Sequence, residues 1–320
     1  MAETSFEEFQ EHIQELYQRQ EYTRAYKLAE ENATRYPEQT PVVNYWRVCM
    51  AVRVGKQDEA LELLSDVIKS GFWYGETLLR KSPSLQPLQG NPRFENLVEK
   101  NQEQQEKDQD QLFPLITLRS RGSCQDDEHP CPLLMALHGN GATAQSSVDF
   151  WKPAASAGWL VGIPQSSQAM WKDAYVWSDL EVARAEIEQH ITLLRRQYAV
   201  DAGRTVLAGH SMGGELAIWL ALSGALEVRG IIAVGAGGPF MDNPEDWHEL
   251  IEAFTGDPPR MYLIYGEGDR TIPQHNNHVL AGMLQKAGFA CEIESLPGVG
   301  HEYDPAYIAP FLRGLKFLLE

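Results

Sequence analysis

Basic residues are scarce in this chain: 27 lysines and arginines face 45 aspartates and glutamates, for a formal net charge of −18. Nucleic acid and anionic lipid both demand a positive surface, so neither nucleic acid nor a membrane is an expected partner. The acidity is spread along the chain rather than gathered in a tail. Cysteine is scarcer still: Cys49, Cys124, Cys131 and Cys291 are too few for a disulfide framework at this length. Only Cys124 and Cys131 lie close together, in Cys-Gln-Asp-Asp-Glu-His-Pro-Cys, a spacing that matches no common zinc pattern. They read as two thiols on a polar loop, which fits a reducing cytoplasm. Long apolar runs are missing as well. Stretches such as 133–137 and 230–234 fall far short of the ~20 residues a membrane-spanning helix needs. The opening Met-Ala-Glu-Thr-Ser-Phe-Glu-Glu is acidic with no apolar segment, so neither a secretory signal nor a basic targeting peptide is expected.

What is present is ordinary globular material, 43% hydrophobic and 22% charged over 320 residues. At roughly 150 residues per domain, that length suggests two domains. Residues 6–100 carry helical periodicity. Apolar positions recur every three or four residues in Phe6, Phe9, Ile13, Leu16 and Tyr17, again in Ala25, Leu28 and Ala29, and again through Ala60, Leu61, Leu64, Val67 and Ile68. Breakers at Pro37, Pro41, Gly55 and Gly71 separate these segments. Ala25 aligns with Ala60 at an offset of 35 residues, close to the ~34-residue tetratricopeptide period, and Tyr36-Pro37 falls where that family ends a repeat. Residues 6–70 thus resemble two tetratricopeptide-like helical pairs, with a shorter third unit over 72–100. Such pairs bury their apolar faces only against a neighbour. That implies either support from the second domain or a protein partner, or self-association, through the helical region. Residues 101–111 hold no apolar side chain and read as a solvated helical extension or a linker, dividing the chain into domains 1–110 and 111–320.

From residue 112 the texture changes to short β-branched and apolar runs alternating with longer helical stretches. Strands are expected at 112–118, 133–137, 159–163, 205–208, 231–234, 261–265 and 292–296, with helices at 180–198, 214–222, 275–286 and 306–319. The alternation predicts an α/β fold, a mostly parallel sheet with helices on both faces. Ligands of such sheets bind at the carboxyl ends of the strands.

Three of those ends carry one chemistry. After 205–208 comes Gly209-His210-Ser211-Met212-Gly213-Gly214 and then a helix, a Gly-x-Ser-x-Gly nucleophile elbow in its strand–turn–helix context. Side chains at 209 and 213 would collide with neighbouring backbone, which is why glycine stands there. A serine hydroxyl needs a base, and the base needs a carboxylate to orient it. Gly266-Glu267-Gly268-Asp269 supplies Asp269, with Glu267 as the rival acid; Gly298-Val299-Gly300-His301 supplies His301. An oxyanion also requires donors. Leu137-His138-Gly139-Asn140-Gly141 closes an early strand, and the backbone N–H groups of Asn140 and Met212 are the candidates. His138 reads as a brace for that loop. Trp171 and Trp177 follow the 159–163 strand and are candidates either to line an acyl or aryl pocket or simply to pack. His275 and His278 share a helical face without a third ligand, so no metal site is expected.

In combination, Leu-His-Gly-Asn-Gly, Gly-His-Ser-Met-Gly-Gly, Gly-Glu-Gly-Asp-Arg-Thr-Ile-Pro and Gly-His-Glu-Tyr-Asp-Pro resemble the α/β-hydrolase superfamily across residues 112–320. The branch they resemble is the phospholipase/carboxylesterase and dienelactone-hydrolase group. The resemblance implies a serine esterase acting on small-molecule carboxylic esters without metal or organic cofactor, and the scarce cysteines and acidic opening make a cytoplasmic location the expectation. A peptidase built from the same parts, and a helical-repeat binding protein with an inert hydrolase domain, are the alternatives. Only 235–259 is available for a lid, so the helical domain is the expected shelter of the site, testable by deleting residues 1–108.

Overall fold

The periodicity of residues 6–100 becomes helices α1 (Phe6–Gln18), α2 (Tyr22–Glu31), α3 (Thr40–Arg53), α4 (Gln57–Lys69), α5 (Glu76–Lys81) and α6 (Pro92–Gln109). They belong to a computed structural model that describes residues 5–109, 114–125 and 128–320. Ser5 and Glu8 form a reciprocal capping box that starts α1. Ala25 in α2 and Ala60 in α4 are both fully buried, small enough for each helix to press on its neighbour. The stretch 101–111, without an apolar side chain, is the end of α6 as far as Gln109; residues 110 and 111 lie outside the described residues.

The chain divides into two compact units, Met1–Leu112 with Ala169–Lys172, and Phe113–Gln168 with Asp173–Glu320. The first unit therefore holds a segment distant in sequence. Gly75 N–H donates to the Met170 carbonyl at 2.6 Å and Lys172 N–H to that of Trp73 at 3.0 Å. The Lys172 ammonium pairs with Asp108 at 3.0 Å, and Asp108 also receives the Trp73 indole N–H at 2.8 Å. Buried Asn101 serves both backbone polar groups of Tyr74, accepting from its N–H and donating to its carbonyl. An extended stretch is thereby satisfied inside a helical unit.

In the second unit, alternate residues of one strand face two different cores. Leu133, Met135 and Leu137 pack into one and Leu134 and Ala136 into the other, the period-two signature of a strand covered on both sides. The main strands are β1 (Leu115–Leu118), β2 (Cys131–Leu137), β3 (Leu160–Pro164), β6 (Val200–His210), β7 (Gly230–Val234), β8 (Arg260–Gly266) and β9 (Cys291–Leu296). Short β4 (Ala169–Trp171) and β5 (Ala174–Tyr175) stand outside their sheet. The order is β1-β3-β2-β6-β7-β8-β9, with β1 antiparallel to β3 and every other pairing parallel. The expected α/β architecture is what forms. The strand expected over 112–118 is Leu115–Leu118, with residues 112 and 113 outside the described residues.

Helices α7 (Ala144–Ser156) and α13 (Ile308–Leu319) cover one face through Phe150, Trp151, Phe311 and Leu315. Helices α8 (Leu180–Gln197), α9 (Met212–Leu222) and α12 (Gln274–Lys286) cover the other through Ile187, Leu216 and Leu280. Between β7 and β8 stand only α10 (Pro239–Asp242), one 3-10 turn and α11 (Trp247–Ala253).

One expectation is corrected. Cys124 and Cys131 are not two thiols but a disulfide, with sulfurs 2.07 Å apart. The reason is backbone pairing with a third residue: Ala199 N–H donates to the Cys124 carbonyl and Cys131 N–H to that of Ala199, bringing the two Cα atoms to 5.1 Å. The reducing-compartment reading leaned on free thiols there, and the bridge removes that support. Cys49 and Cys291 remain free and buried. Among the described residues, no helix is long and apolar enough to cross a membrane.

Candidate active site

Strand β6 ends at His210 and helix α9 starts at Met212, leaving Ser211 to turn the chain. It does so at φ 53°, ψ −122°, a left-handed conformation costly for a residue with a side chain. Close packing enforces the turn. A Cβ on Gly209 would stand 2.1 Å from the Gly213 carbonyl, and one on Gly213 would stand 2.4 Å from the Leu137 oxygen. The Ser211 carbonyl accepts from Gly214, Glu215 and Gly237, while its N–H donates to Val234. The hydroxyl is thus presented at the amino end of α9.

Asp269 follows β8 and His301 follows β9. The structure brings both to Ser211 from 58 and 90 positions along the chain. His301 Nε2 lies 2.9 Å from the Ser211 hydroxyl, and His301 Nδ1 lies 2.7 Å from Asp269 Oδ2. A carboxylate at Nδ1 places the ring proton there, so Nε2 is free to accept from Ser211. The other Asp269 oxygen accepts the N–H groups of Thr271 and Ile272 at 2.8 and 3.0 Å. Burial raises the Asp269 pKa, but the hydrogen bonds from His301, Ile272 and Thr271 outweigh it and leave the carboxyl below its ordinary value. The rival acid, Glu267, is exposed and accepts from the Ser295 hydroxyl at 2.9 Å instead.

The loop after β2 and the start of α9 each supply an unoccupied donor. Neither the Asn140 N–H nor the Met212 N–H finds an acceptor among the described residues. The neighbouring Gly139 N–H is engaged, donating to the Tyr303 hydroxyl at 3.3 Å. His138 braces the loop from beneath. Its Nε2 accepts the Ser166 N–H at 3.3 Å and its Nδ1–H donates to the Gly139 carbonyl at 2.9 Å. Burial pushes its pKa down to about 4, so the ring is neutral. Trp177 belongs to this brace. Its indole N–H donates to the His138 carbonyl at 2.9 Å, and with 1% exposure it has no surface left to line a pocket. Trp171 belongs to the first unit and packs on that unit's core.

Sequence reasoning missed three residues here. His210 directs Nε2–H to the His301 carbonyl, the Tyr303 ring lies tilted against His210, and Glu215 is buried in the first turn of α9. Only their position inside the Gly-His-Ser-Met-Gly-Gly-Glu and Gly-His-Glu-Tyr motifs could have flagged them; their partners lie elsewhere in the chain. His278 Nε2 meets the Tyr265 hydroxyl at 2.6 Å, and no group of three metal-binding side chains occurs among the described residues.

A serine elbow at the carboxyl end of a central parallel strand, served by loops from three other strand ends, defines the class: this is an α/β-hydrolase fold. The chain belongs to the phospholipase/carboxylesterase family, whose model matches residues 124–311, more than half its length. A second model, an A/B hydrolase-like N-terminal domain, matches residues 5–109. The chain is similar to an uncharacterized protein from Bacillus cereus at 21% identity and TM-score 0.54, over 98% of each chain. It is also similar to esterase PE8 at 19% identity and TM-score 0.50, over 63% of this chain and 97% of that one. At such identities these two structures bear on the fold alone.

Proposed function

We propose that this chain is a serine hydrolase that cleaves small carboxylic esters through an acyl-enzyme. One observation carries the reading: the continuous relay from the Ser211 hydroxyl through His301 to Asp269, at 2.9 and 2.7 Å. Ser211 attacks the ester carbonyl as its proton passes to His301 Nε2. The oxyanion is held by the N–H groups of Asn140 and Met212, the latter at the positive end of α9. His301 then returns the proton to the departing alcohol oxygen, leaving the acyl group on Ser211. Water enters, gives a proton to His301 and attacks the acyl carbon; the acid leaves and the hydroxyl is restored. The scheme calls on no metal or organic cofactor. Membership of the phospholipase/carboxylesterase family supports the ester as the bond cleaved.

The test is hydrolysis of p-nitrophenyl acetate together with fluorophosphonate capture, mapped by peptide mass. The wild type is expected to turn over and to be labelled at Ser211. Ser211→Ala is expected to lose both while keeping its melting temperature. Turnover retained by the alanine variant sinks the assignment.

A further inference from the structure

The His210 imidazole has no part in that scheme, yet it is 5% exposed and its Nε2–H donates to the His301 backbone carbonyl at 2.6 Å. We propose that His210 is a positioning residue for the His301 base, holding the loop of residues 297–304 through this hydrogen bond with the Tyr303 ring as its platform. The proposal rests on the serine hydrolase reading.

The base loop is held on either side of the base: Gly268 N–H donates to the Val299 carbonyl at 2.8 Å and the Tyr307 hydroxyl to the Gly300 carbonyl at 2.7 Å. The His210 bond falls on the carbonyl of His301 itself, the residue whose ring must be placed. The Tyr303 ring lies 4.1 Å from the His210 ring at an interplanar angle of 32°. Its hydroxyl accepts the Gly139 N–H, so the same pair of rings ties the serine elbow, the base loop and the loop bearing Asn140 together. The approach is close: a Cβ on Gly139 would stand 3.0 Å from His210 Nδ1. Charge is consistent with the role. Burial first, and then the neighbouring His301 charge, push the His210 pKa down to about 4. The ring therefore stays neutral, and no second cation stands 5.0 Å from the His301 ring when that ring takes up its proton.

Two substitutions separate holding from filling. His210→Phe keeps an aromatic ring against Tyr303 and deletes the donor. His210→Gln deletes the ring and keeps an N–H of similar reach. With p-nitrophenyl acetate, His210→Phe is expected to lower kcat about 10- to 100-fold with KM within about threefold, as a displaced base does. His210→Gln is expected to recover most of that loss, and fluorophosphonate capture at Ser211 should follow the same order. A packing role predicts the reverse, a phenylalanine variant near wild type and an impaired glutamine variant, and that result overturns the proposal. A glutamine variant no better than the phenylalanine one overturns it too. If His210→Phe does not fold, His210→Asn, too short to reach the carbonyl, takes its place beside His210→Gln, and equal kcat for those two is again fatal. A wild type with neither turnover nor capture defeats the serine reading itself, a result distinct from an active wild type matched by its His210 variants.

Discussion

Asp269 shows how much one side chain settles. One oxygen receives the N–H groups of Thr271 and Ile272 and so fixes the carboxylate plane; the other faces His301 Nδ1. Asp269→Asn keeps the shape but turns an NH₂ toward the imidazole, which must then carry its proton on Nε2 and can no longer accept from Ser211. The expected outcome is a fall in kcat of about 10³–10⁴-fold with KM little changed, measured by steady-state ester hydrolysis. A loss under tenfold would remove Asp269 from the relay. Glu267→Gln, altering an exposed carboxylate bonded to Ser295, is expected to leave kcat within about twofold. The choice between these two acids was open in the sequence because they stand two positions apart on one loop. It is closed by which of them is buried: Asp269 is 7% exposed, and Glu267 lies on the surface.

At the scale of elements, helix α9 anchors more than Ser211. Glu215, 4% exposed, accepts the Met241 N–H at 2.7 Å, and a Cβ on Gly238 would lie 2.3 Å from its oxygen. The first turn of α9 thereby holds the backbone of α10. Burial raises the Glu215 pKa to about 7, against the opposing effect of the Met241 and Phe240 N–H groups. The folded state thus binds this proton more tightly than the unfolded chain. Stability from it is fully present below the ordinary glutamate value of 4.5 and is lost as pH rises through about 7. Glu215→Gln keeps an acceptor and cannot ionise, so it should gain on wild type across that window, by on the order of 3 kcal/mol between its ends. Denaturant titrations of both proteins at pH 4.5, 6 and 8 measure the gap, and a pH-independent gap would show that the carboxyl titrates normally. Nothing in Gly-Gly-Glu-Leu-Ala announced this role, since an acid in a first helical turn reads as an ordinary dipole partner.

Across the whole molecule, the Cys124–Cys131 bridge ties the start of β2 to the loop before it. Closing so short a loop is worth about 2–3 kcal/mol in the chain-entropy account. Cys124→Ser with Cys131→Ser, or the wild type under dithiothreitol, should therefore melt a few degrees lower, with ester hydrolysis unchanged at 25 °C. Equal melting temperatures with and without reductant would mean that the pairing does not contribute. The main strands, the serine elbow and the loops bearing Asp269 and His301 were legible beforehand because each depends on neighbours within a few residues; the order of the strands in the sheet was not. Apolar alternation makes a strand, and Gly209 and Gly213 permit a turn that larger residues would block. The disulfide, the enclosure of Ala169–Lys172 in the helical unit, the burial of Trp177 beneath the loop bearing Asn140 and the partner of His210 were not legible. Each is a contact whose partner lies elsewhere in the chain, as Ala199 does for the two cysteines and His301 for His210. Local chain chemistry by itself determined which elements form and which reactive groups stand at strand ends. Tertiary packing alone decided which buried polar atoms meet, because a hydrogen bond between distant residues leaves no periodicity in the sequence and exists only once the sheet has closed around it.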